Sequence, residues 1–407
     1  MKILEMKILE LNIKGFRSLK EITWNPGDLN VVIGPNGSGK SNLLRLLEMI
    51  SVSAQGRLGK YIQSSGGMEP LVWDGNSDRI EFRIKTSHID PTRKNMEEYN
   101  LTYNVKMARL GKSSAYRIDN ELLDKFYRVE QGSEEKPYKL LERLGLSAWV
   151  FDEFDEVGRK QEVRPEHLSE EESLLSSSWK FFPLNVTIPL LQGPLAELSI
   201  YHDLQVNRDA VIRQSTVTRL ETRVDPDGQN LISVLHTLYT GDRDFKKNID
   251  LAMRAAFGND YEELVFPPAA DQRIQLRLRW KSLKREQSAA DLSDGTLRFL
   301  MLLAILISPS PAPIIAIDEP ETGLHPSMLP IIAEHAVAAS KHVQVILTTH
   351  SPQLLDAFGD EKPVTTVTQW VNGETKLKTL EHEKLERWLE KYSLGELYSS
   401  GELEDFE

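Results

Sequence analysis

Apolar residues fall into two styles along this chain, and the style changes twice. Residues 8–13 and 29–33 are apolar enough for strands, the second a continuous run of the kind buried on both faces of a sheet. A glycine-rich turn follows, and residues 40–50 then place Leu43, Leu44, Leu46 and Leu47 on one broad face of a helix. From about residue 51 the pattern turns to alternation. Residues 79–86 and 100–107 interleave apolar and polar side chains, as antiparallel strands with one wet face do. Residues 128–180 are rich in Glu, Lys and Ser, include the runs DEFDE and SEEES, and read as a mobile or surface-lying insertion. Helices are expected at 231–239 and 245–257. Residues 273–280 set Ile274, Leu276, Leu278 and Trp280 against Arg273, Gln275, Arg277 and Arg279, the pattern of one half-buried strand.

From residue 291 the opening style returns, with an apolar helix at 296–307, a buried strand at 314–317, a helix at 328–340 and a buried strand at 343–347. A helix at 381–391 and an amphipathic piece at 394–403 follow. The expected organisation is an α/β domain split over residues 1–88 and 271–407, with an α+β and helical region, 89–270, inserted into it and 381–407 as an amphipathic tail. The opening MKILEMKILE is one segment written twice, so the folded part is expected to begin near Lys7.

The chemistry sits at the joints of this pattern. GPNGSGKS, running from Gly34 to Ser41, matches G-x-x-x-x-G-K-[ST] and lies between a buried strand and a helix, the context a phosphate-binding loop needs. Gly34, Gly37 and Gly39 let the backbone wrap phosphate. With Pro35, Asn36, Ser38 and the following Asn42 they form the candidate nucleotide loop. Lys40 is the expected contact to the β- and γ-phosphates of ATP, and Ser41 a ligand of Mg²⁺. IIAIDEP ends a buried strand with a paired acid: Asp318 for the metal, Glu319 to orient and deprotonate the attacking water. LSDGT opens a helix with Ser293 and Gly295 placed to offer a hydroxyl and N–H groups to phosphate, and VILTTHSP ends a strand in His350, a candidate contact to the γ-phosphate.

Composition removes other options. With 0 Cys there are no disulfides, iron–sulfur clusters or thiol nucleophiles, which agrees with a reducing cytoplasm. The net charge of −12 disfavours whole-surface attraction to nucleic acid or an anionic membrane, so any polyanion contact must be a local patch. The longest near-apolar stretch, 297–307, contains Arg298 and is too short to span a bilayer, and no secretory signal precedes the first strand.

As an ordered set, IKGFRSLK, GPNGSGKS, LSDGTLRFLMLLAIL, IDEPETGLHP and TTHSP resemble the ABC-type ATPase heads, and within them the branch with RecF, SMC-like chromosome-maintenance ATPases and OLD-family proteins. The resemblance covers most of residues 7–60 and 290–357. It implies a P-loop NTPase fold with a mixed sheet and a large α+β insertion between the Walker A and signature motifs. It also implies a homodimer in which Ser293 and Gly295 of one copy close on ATP bound at Lys40 of the other, and Arg17 resembles a nucleotide-side arginine of this branch, the alternative being a strand-end surface charge. The Q-loop glutamine is poorly marked, with Gln63 and Gln55 competing. LSDGT in place of LSGGQ, and Gly323, Leu324 and His325 where an aspartate is usual, favour the soluble branch over a transporter motor with a membrane partner. The long stretch from Ser41 to Leu292 shows no sustained heptad, so a compact insertion is expected rather than a coiled coil. The segment after His350 is too short for the TOPRIM nuclease domain of OLD proteins.

The remaining clusters have bland alternatives. Asp152, Glu153, Asp155 and Glu156 read as a solvated acidic loop sooner than a metal site, and His335 and His342 as surface residues. Arg273, Arg277, Arg279, Lys281, Lys284 and Arg285, with Arg208, Arg213, Arg219 and Arg223, offer either a phosphate-backbone contact or a solvated face. The tail, with Trp388, Tyr392, Leu394, Leu397 and Tyr398, is expected to pack on the head or on a partner. The leading expectation is a cytoplasmic ATPase that switches a separate effector protein, by family resemblance in bacterial anti-phage defence and frequently beside a nuclease. Its rival is a RecF-like DNA-binding clamp.

Overall fold

The structure is a computed structural model that describes the chain apart from residues 1–5, 76, 90–97, 112–114, 128–136, 154–158, 178–184, 381–387, 390 and 404–407. The chain gathers into two compact units, Met1–Leu198 with Val364–Leu380, and Ser199–Pro363 with Glu381–Glu407.

In the first unit Lys7–Phe16 (β1) turns into Leu19–Trp24 (β2), and Leu29–Ile33 (β3) leads through the glycine loop into Lys40–Ala54 (α1) and Leu58–Ser64 (α2). Arg79–Ile89 (β4), Glu98–Arg109 (β5), Tyr116–Tyr127 (β6), Tyr138–Leu144 (β7), Ser147–Phe151 (β8) and Lys160–Glu162 (β9) complete an eight-stranded antiparallel sheet, ordered β2-β1-β4-β5-β6-β7-β8-β9. Its buried face is the period-two pattern made physical: Ile80, Phe82 and Ile84 lie opposite Met107, Val105 and Tyr103, and all six are buried. Thr187–Ala196 (α3) closes on α1 through hydrogen bonds from Ser51 and Gln55 to the Ala196 carbonyl and from Gln192 to that of Ala54. Two strands from later in the chain, Val364–Val371 (β19) and Glu374–Thr379 (β20), form a hairpin whose first strand runs parallel to β3, with Val367 opposite Ile33.

The described parts of 128–180 are not only surface-lying: they include β7, β8 and β9, and several of their polar and charged side chains are buried or bonded in the fold, although the charges of β9 are exposed. Arg143, fully buried, donates to the carbonyls of Gly145, Glu172 and Ser169. In the SEEES run, Ser173 is buried and hydrogen bonds to Glu121 and Tyr103, while the Glu172 carboxylate accepts the N–H groups of Leu58 and Gly59 at 2.9 Å. Glu153 of the acidic run pairs with the buried Lys125 at 2.8 Å. Asp155 and Glu156 lie outside the described residues. Charges read as solvated from local composition because their partners are distant in sequence.

The second unit holds three parallel strands, Ser199–Tyr201 (β10), Ile314–Asp318 (β17) and Gln344–Thr349 (β18), in that order. Asp294–Leu306 (α6) is buried along most of its length, Leu329–Ser340 (α7) links β17 to β18, and Pro352–Asp356 (α8) follows β18. Leu231–Gly241 (α4) and Arg243–Phe257 (α5) agree with the periodicity. Residues 273–280 do not form one strand: Arg273–Ile274 (β14) joins Thr216–Val217 (β11) and Pro268–Ala269 (β13) in one three-stranded sheet, and Arg277–Trp280 (β15) joins Tyr261–Val265 (β12) and Gln287–Ser288 (β16) in another. The alternation was real, with Leu276 and Leu278 fully buried, but the ladder breaks between the two sheets. Leu394–Ser399 (α9) packs on α8, where Gly395 N–H reaches Asp356 at 2.8 Å, and Leu397 is buried, whereas Trp388 and Tyr392 stay exposed. The helix expected at 381–391 lies mostly outside the described residues. Among the described residues no helix is long and apolar enough to cross a membrane.

His88 gives this fold a pH signature. It is buried in β4, hydrogen bonded to Thr86 at 2.8 Å and stacked on Tyr99, and burial, helped by the nearby Lys125 ammonium, pushes its imidazole down to about 4. Between its ordinary value and about 4 the unfolded chain binds the extra proton, so stability falls as pH drops through that window, by about 3 kcal/mol in total. Urea midpoints measured from pH 7 to pH 4 should show this slope in the parent and a shallower one in His88→Phe.

Candidate active site

β3 ends at Ile33 and the chain must turn sharply to start α1 at Lys40. Gly34, Gly37 and Gly39 do this at φ of 150°, 81° and 103°, where an L side chain is strained. Space forbids side chains as well: a Cβ on Gly34 would lie 2.3 Å from Thr368 Oγ1, and one on Gly39 2.0 Å from Thr375 Oγ1. Both threonines belong to the β19–β20 hairpin and fasten the loop. Thr368 Oγ1 donates to the Ile33 carbonyl at 3.0 Å and lies 2.5 Å from Ser38 Oγ, and Thr375 Oγ1 donates to the Ser38 carbonyl at 2.9 Å. Pro35, Asn36 and Gly37 form the exposed apex. Lys40 is buried, its Nζ donating to the carbonyls of Gly34 at 2.7 Å and Pro35 at 3.2 Å, so the loop wraps around a cation. Ser41 follows in the first turn of α1, half-buried, and no side chain caps that helix at Gly39. A glycine turn with an ammonium inside, opening an uncapped helix, has the donor set that polyphosphate requires.

The turn between β1 and β2 is tied to the same loop. Ser18 Oγ accepts from Asn42 Nδ2 at 2.7 Å and lies 2.7 Å from Thr375 Oγ1, to which it can donate its own hydrogen. Arg17 beside it has φ 47°, donates its N–H to Leu71 and buries its Nε without a hydrogen-bond partner; burial, then the like charge of Arg45, lowers its guanidinium from the ordinary value. It is thus more than a strand-end surface charge. Gln55 donates to Ala196, and Gln63 is exposed on α2.

In the second unit β17 presents the paired acids. Asp318 Oδ1 accepts from the Thr348 hydroxyl of β18, and its Oδ2 lies 3.5 Å from His202 Nδ1, at the end of β10. Glu319 leaves the strand at φ 46°, unusual for a residue with a side chain. Its N–H donates to Thr348 at both O and Oγ1, its carbonyl accepts from Arg298 Nη2 at 3.0 Å, and its carboxylate meets His350 Nδ1 at 3.0 Å. Glu321 is half-buried, its side chain 8% exposed, and accepts from the Thr349 hydroxyl at 2.5 Å and from His350 N–H at 3.3 Å; burial pushes its carboxyl up while those donors pull it down. Ser293 caps α6, its Oγ accepting Thr296 N–H at 3.1 Å, and a Cβ on Gly295 would lie 2.6 Å from the Gly323 carbonyl oxygen. Among the described residues no cluster of three or more His, Asp or Glu is arranged to hold a metal ion by itself. Each unit offers a hard oxygen donor at its own motif, the Ser41 hydroxyl in the first and the Asp318 carboxylate in the second, and oxygen donors are the type that Mg²⁺ takes.

Several residues here carried no functional reading in the sequence. Arg298 had a usable signal, as the lone charge in the apolar run 296–307. Glu321 is the third acid of IDEPE. Ser18, Thr348, Thr368, Thr375 and His202 had none, because only the strand register reveals their neighbours. Arg213, read with the basic patch, is instead buried: it donates to carbonyls of Val206, Asn207, Ala289 and Leu292 and pairs with Asp294, holding the LSDGT loop from below. Arg279 pairs with Glu263 and with Glu286 at 2.7 Å, and Arg277 lies 3.8 Å from Glu286, so these two arginines meet protein carboxylates.

Residues 29–356, most of the chain, match the family described as "AAA domain, putative AbiEii toxin, Type IV TA system". The chain belongs to this family. No curated protein sequence matches it significantly. Among solved structures, an Smc head bound to the C-winged helix domain of ScpA matches with a TM-score of 0.52 and 14% identity over 93% of this chain and 99% of that one. An Smc head with an extended coiled coil, bound to the C-terminal domain of ScpA derived from Pyrococcus furiosus, gives 0.48 and 12% over 95% and 99%. The SMC head domain from Thermotoga maritima gives 0.41 and 15% over 92% and 99%. The family and the first of these neighbours make the fold that of a P-loop ATPase domain of the SMC-head type with mixed α/β sheets.

Arg213→Ala would leave Asp294 and several buried carbonyls of the signature loop without their donor. Stability should fall by about 2–4 kcal/mol. Urea denaturation and amide exchange will check this, with the protection loss expected first in residues 289–296.

Proposed function

We propose that this AAA-family domain is a cytoplasmic Mg²⁺-dependent ATPase that dimerises around ATP and acts as a conformational switch for a separate effector protein. The observation that carries the reading is the path from signature helix to base. α6 begins at the Ser293 cap and, one turn later, its Arg298 holds the backbone carbonyl of Glu319. A phosphate that draws on the signature loop therefore acts on the residue that activates water.

In this reading the backbone of Gly34–Asn42 wraps the phosphates, Lys40 exchanges its loop carbonyls for phosphate oxygens, and Arg17 adds a second guanidinium charge. Ser41 and Asp318 are the residues that would hold Mg²⁺, which when bound would supply neutralisation of phosphate charge. Glu319 takes a proton from the attacking water. His350 fixes the carboxylate through Nδ1 and offers Nε2 to the γ-phosphate. Ser293 and Gly295 belong to the nucleotide of a second copy, which makes turnover depend on assembly.

A defence role is supported by the family's description as a toxin of a type IV toxin–antitoxin system. That an Smc head of this fold was crystallised with a domain of ScpA supports docking of a separate protein, a nuclease being one candidate class. The split into a head over 1–88 and 271–407, an inserted region over 89–270 and an amphipathic tail over 381–407 remains our proposal. The pairing of Arg277 and Arg279 with Glu263 and Glu286 removes two charges from the stretch that a DNA clamp would use.

Glu319→Gln should bind ATP as the parent does while hydrolysing it ~10²–10³-fold more slowly, the usual scale for losing a general base. Lys40→Ala should lose nucleotide binding. Titration with a fluorescent ATP analogue and phosphate-release assays measure both; a Glu319→Gln protein that turns over at the parental rate removes Glu319 as the base.

A further inference from the structure

β10 is short, but its parallel register sets Tyr201 opposite Ile317 and so brings the next residues, His202 and Asp318, to the same strand end. There His202 Nδ1 lies 3.5 Å from Asp318 Oδ2, with the two side chains only 18% and 14% exposed. The carboxylate is oriented: Oδ1 is taken by Thr348, which turns Oδ2 toward the imidazole. Two atoms that ligate one octahedral ion at about 2.1 Å lie roughly 3 Å apart when adjacent in its shell. A small side-chain movement separates the observed spacing from shared coordination. An imidazole nitrogen beside a carboxylate is also a different donor set from the oxygens that suit Mg²⁺, because nitrogen ligands favour first-row transition ions.

We propose that His202 is a metal ligand of the nucleotide site, giving it a mixed nitrogen and oxygen donor set that takes Mn²⁺ or Co²⁺ in preference to Mg²⁺. The inference rests on the reading that Asp318 serves a nucleotide-bound metal, and it adds the residue and the ion preference. Mg²⁺ remains a competent ion through oxygen donors such as Asp318; the imidazole adds affinity that only nitrogen-accepting ions gain.

The test is pulsed electron paramagnetic resonance on the full chain with Mn²⁺ and ATPγS, prepared with natural-abundance and with ¹⁵N-labelled histidine. The expected spectrum shows one directly coupled imidazole nitrogen that changes to the ¹⁵N pattern on labelling, survives in His350→Gln and disappears in His202→Gln. Mn²⁺ affinity in the presence of ATPγS should fall about tenfold in His202→Gln, while Mg²⁺ affinity, read by competition, stays within twofold. A bound Mn²⁺–ATPγS complex without histidine coupling, or coupling that persists in His202→Gln, overturns the proposal and leaves the nucleotide reading standing. No Mn²⁺–ATPγS complex at all overturns both. Should His202→Gln fail to fold, the labelled parent and His350→Gln still decide whether a histidine other than His350 binds the ion.

Discussion

Glu319 sits in a left-handed backbone conformation that costs a residue with a side chain about 1 kcal/mol, and groups from β18 and α6 keep it there. Thr348 takes its N–H and Arg298 its carbonyl, so the peptide groups on both sides are fixed. Asp318 stays at the strand end with Thr348 and His202, while Glu319 swings to His350. In the proposed function these two placements serve two roles, Asp318 toward a metal and Glu319 toward water. Arg298 is itself constrained. Burial lowers its guanidinium, and the nearby acids Glu321, Asp203, Glu319 and Asp318 pull it back up, which ties the signature helix electrostatically to the acids it faces.

The glycine loop of the first unit uses a similar device with neutral groups. Two threonine hydroxyls from one hairpin and one serine hydroxyl from the β1–β2 turn fix a backbone that glycine alone would leave free. The ordering entropy of the loop is met by these hydrogen bonds during folding, before any nucleotide arrives. Fixed donors aimed at a place where charge will sit are what electrostatic catalysis needs, since they require no reorganisation during the reaction.

Much of this was legible in the sequence, and the reasons are local. The strand, glycine loop and helix from Leu29 to Ile50 carry their geometry in glycine positions and in a 3.6-residue apolar face, so the reading and the structure agree, with α1 continuing to Ala54. The acids of β17 were legible because a buried apolar run that ends in two carboxylates has few other uses. What failed depended on distant partners. Residues 128–180 looked solvated because Glu153 and Ser173 find their partners outside the stretch, at Lys125 and Glu121, and Arg143 reaches nearly thirty residues on to Glu172. Arg213 looked like surface charge until the signature loop folded over it. Residues 273–280 alternated as one strand although two sheets share them, since period two records burial and says nothing of which ladder is joined. His202 had no motif at all, and only the register of β10 on β17 set it beside Asp318.

The proposed switch requires that ATP drive two copies of the chain together. Light scattering of the Glu319→Gln protein at micromolar concentration, with and without ATP and Mg²⁺, measures this directly. The account predicts a monomer mass without nucleotide and a dimer mass with it, reversed when Ser293 is also changed to Arg. A mass unchanged at saturating ATP would contradict it.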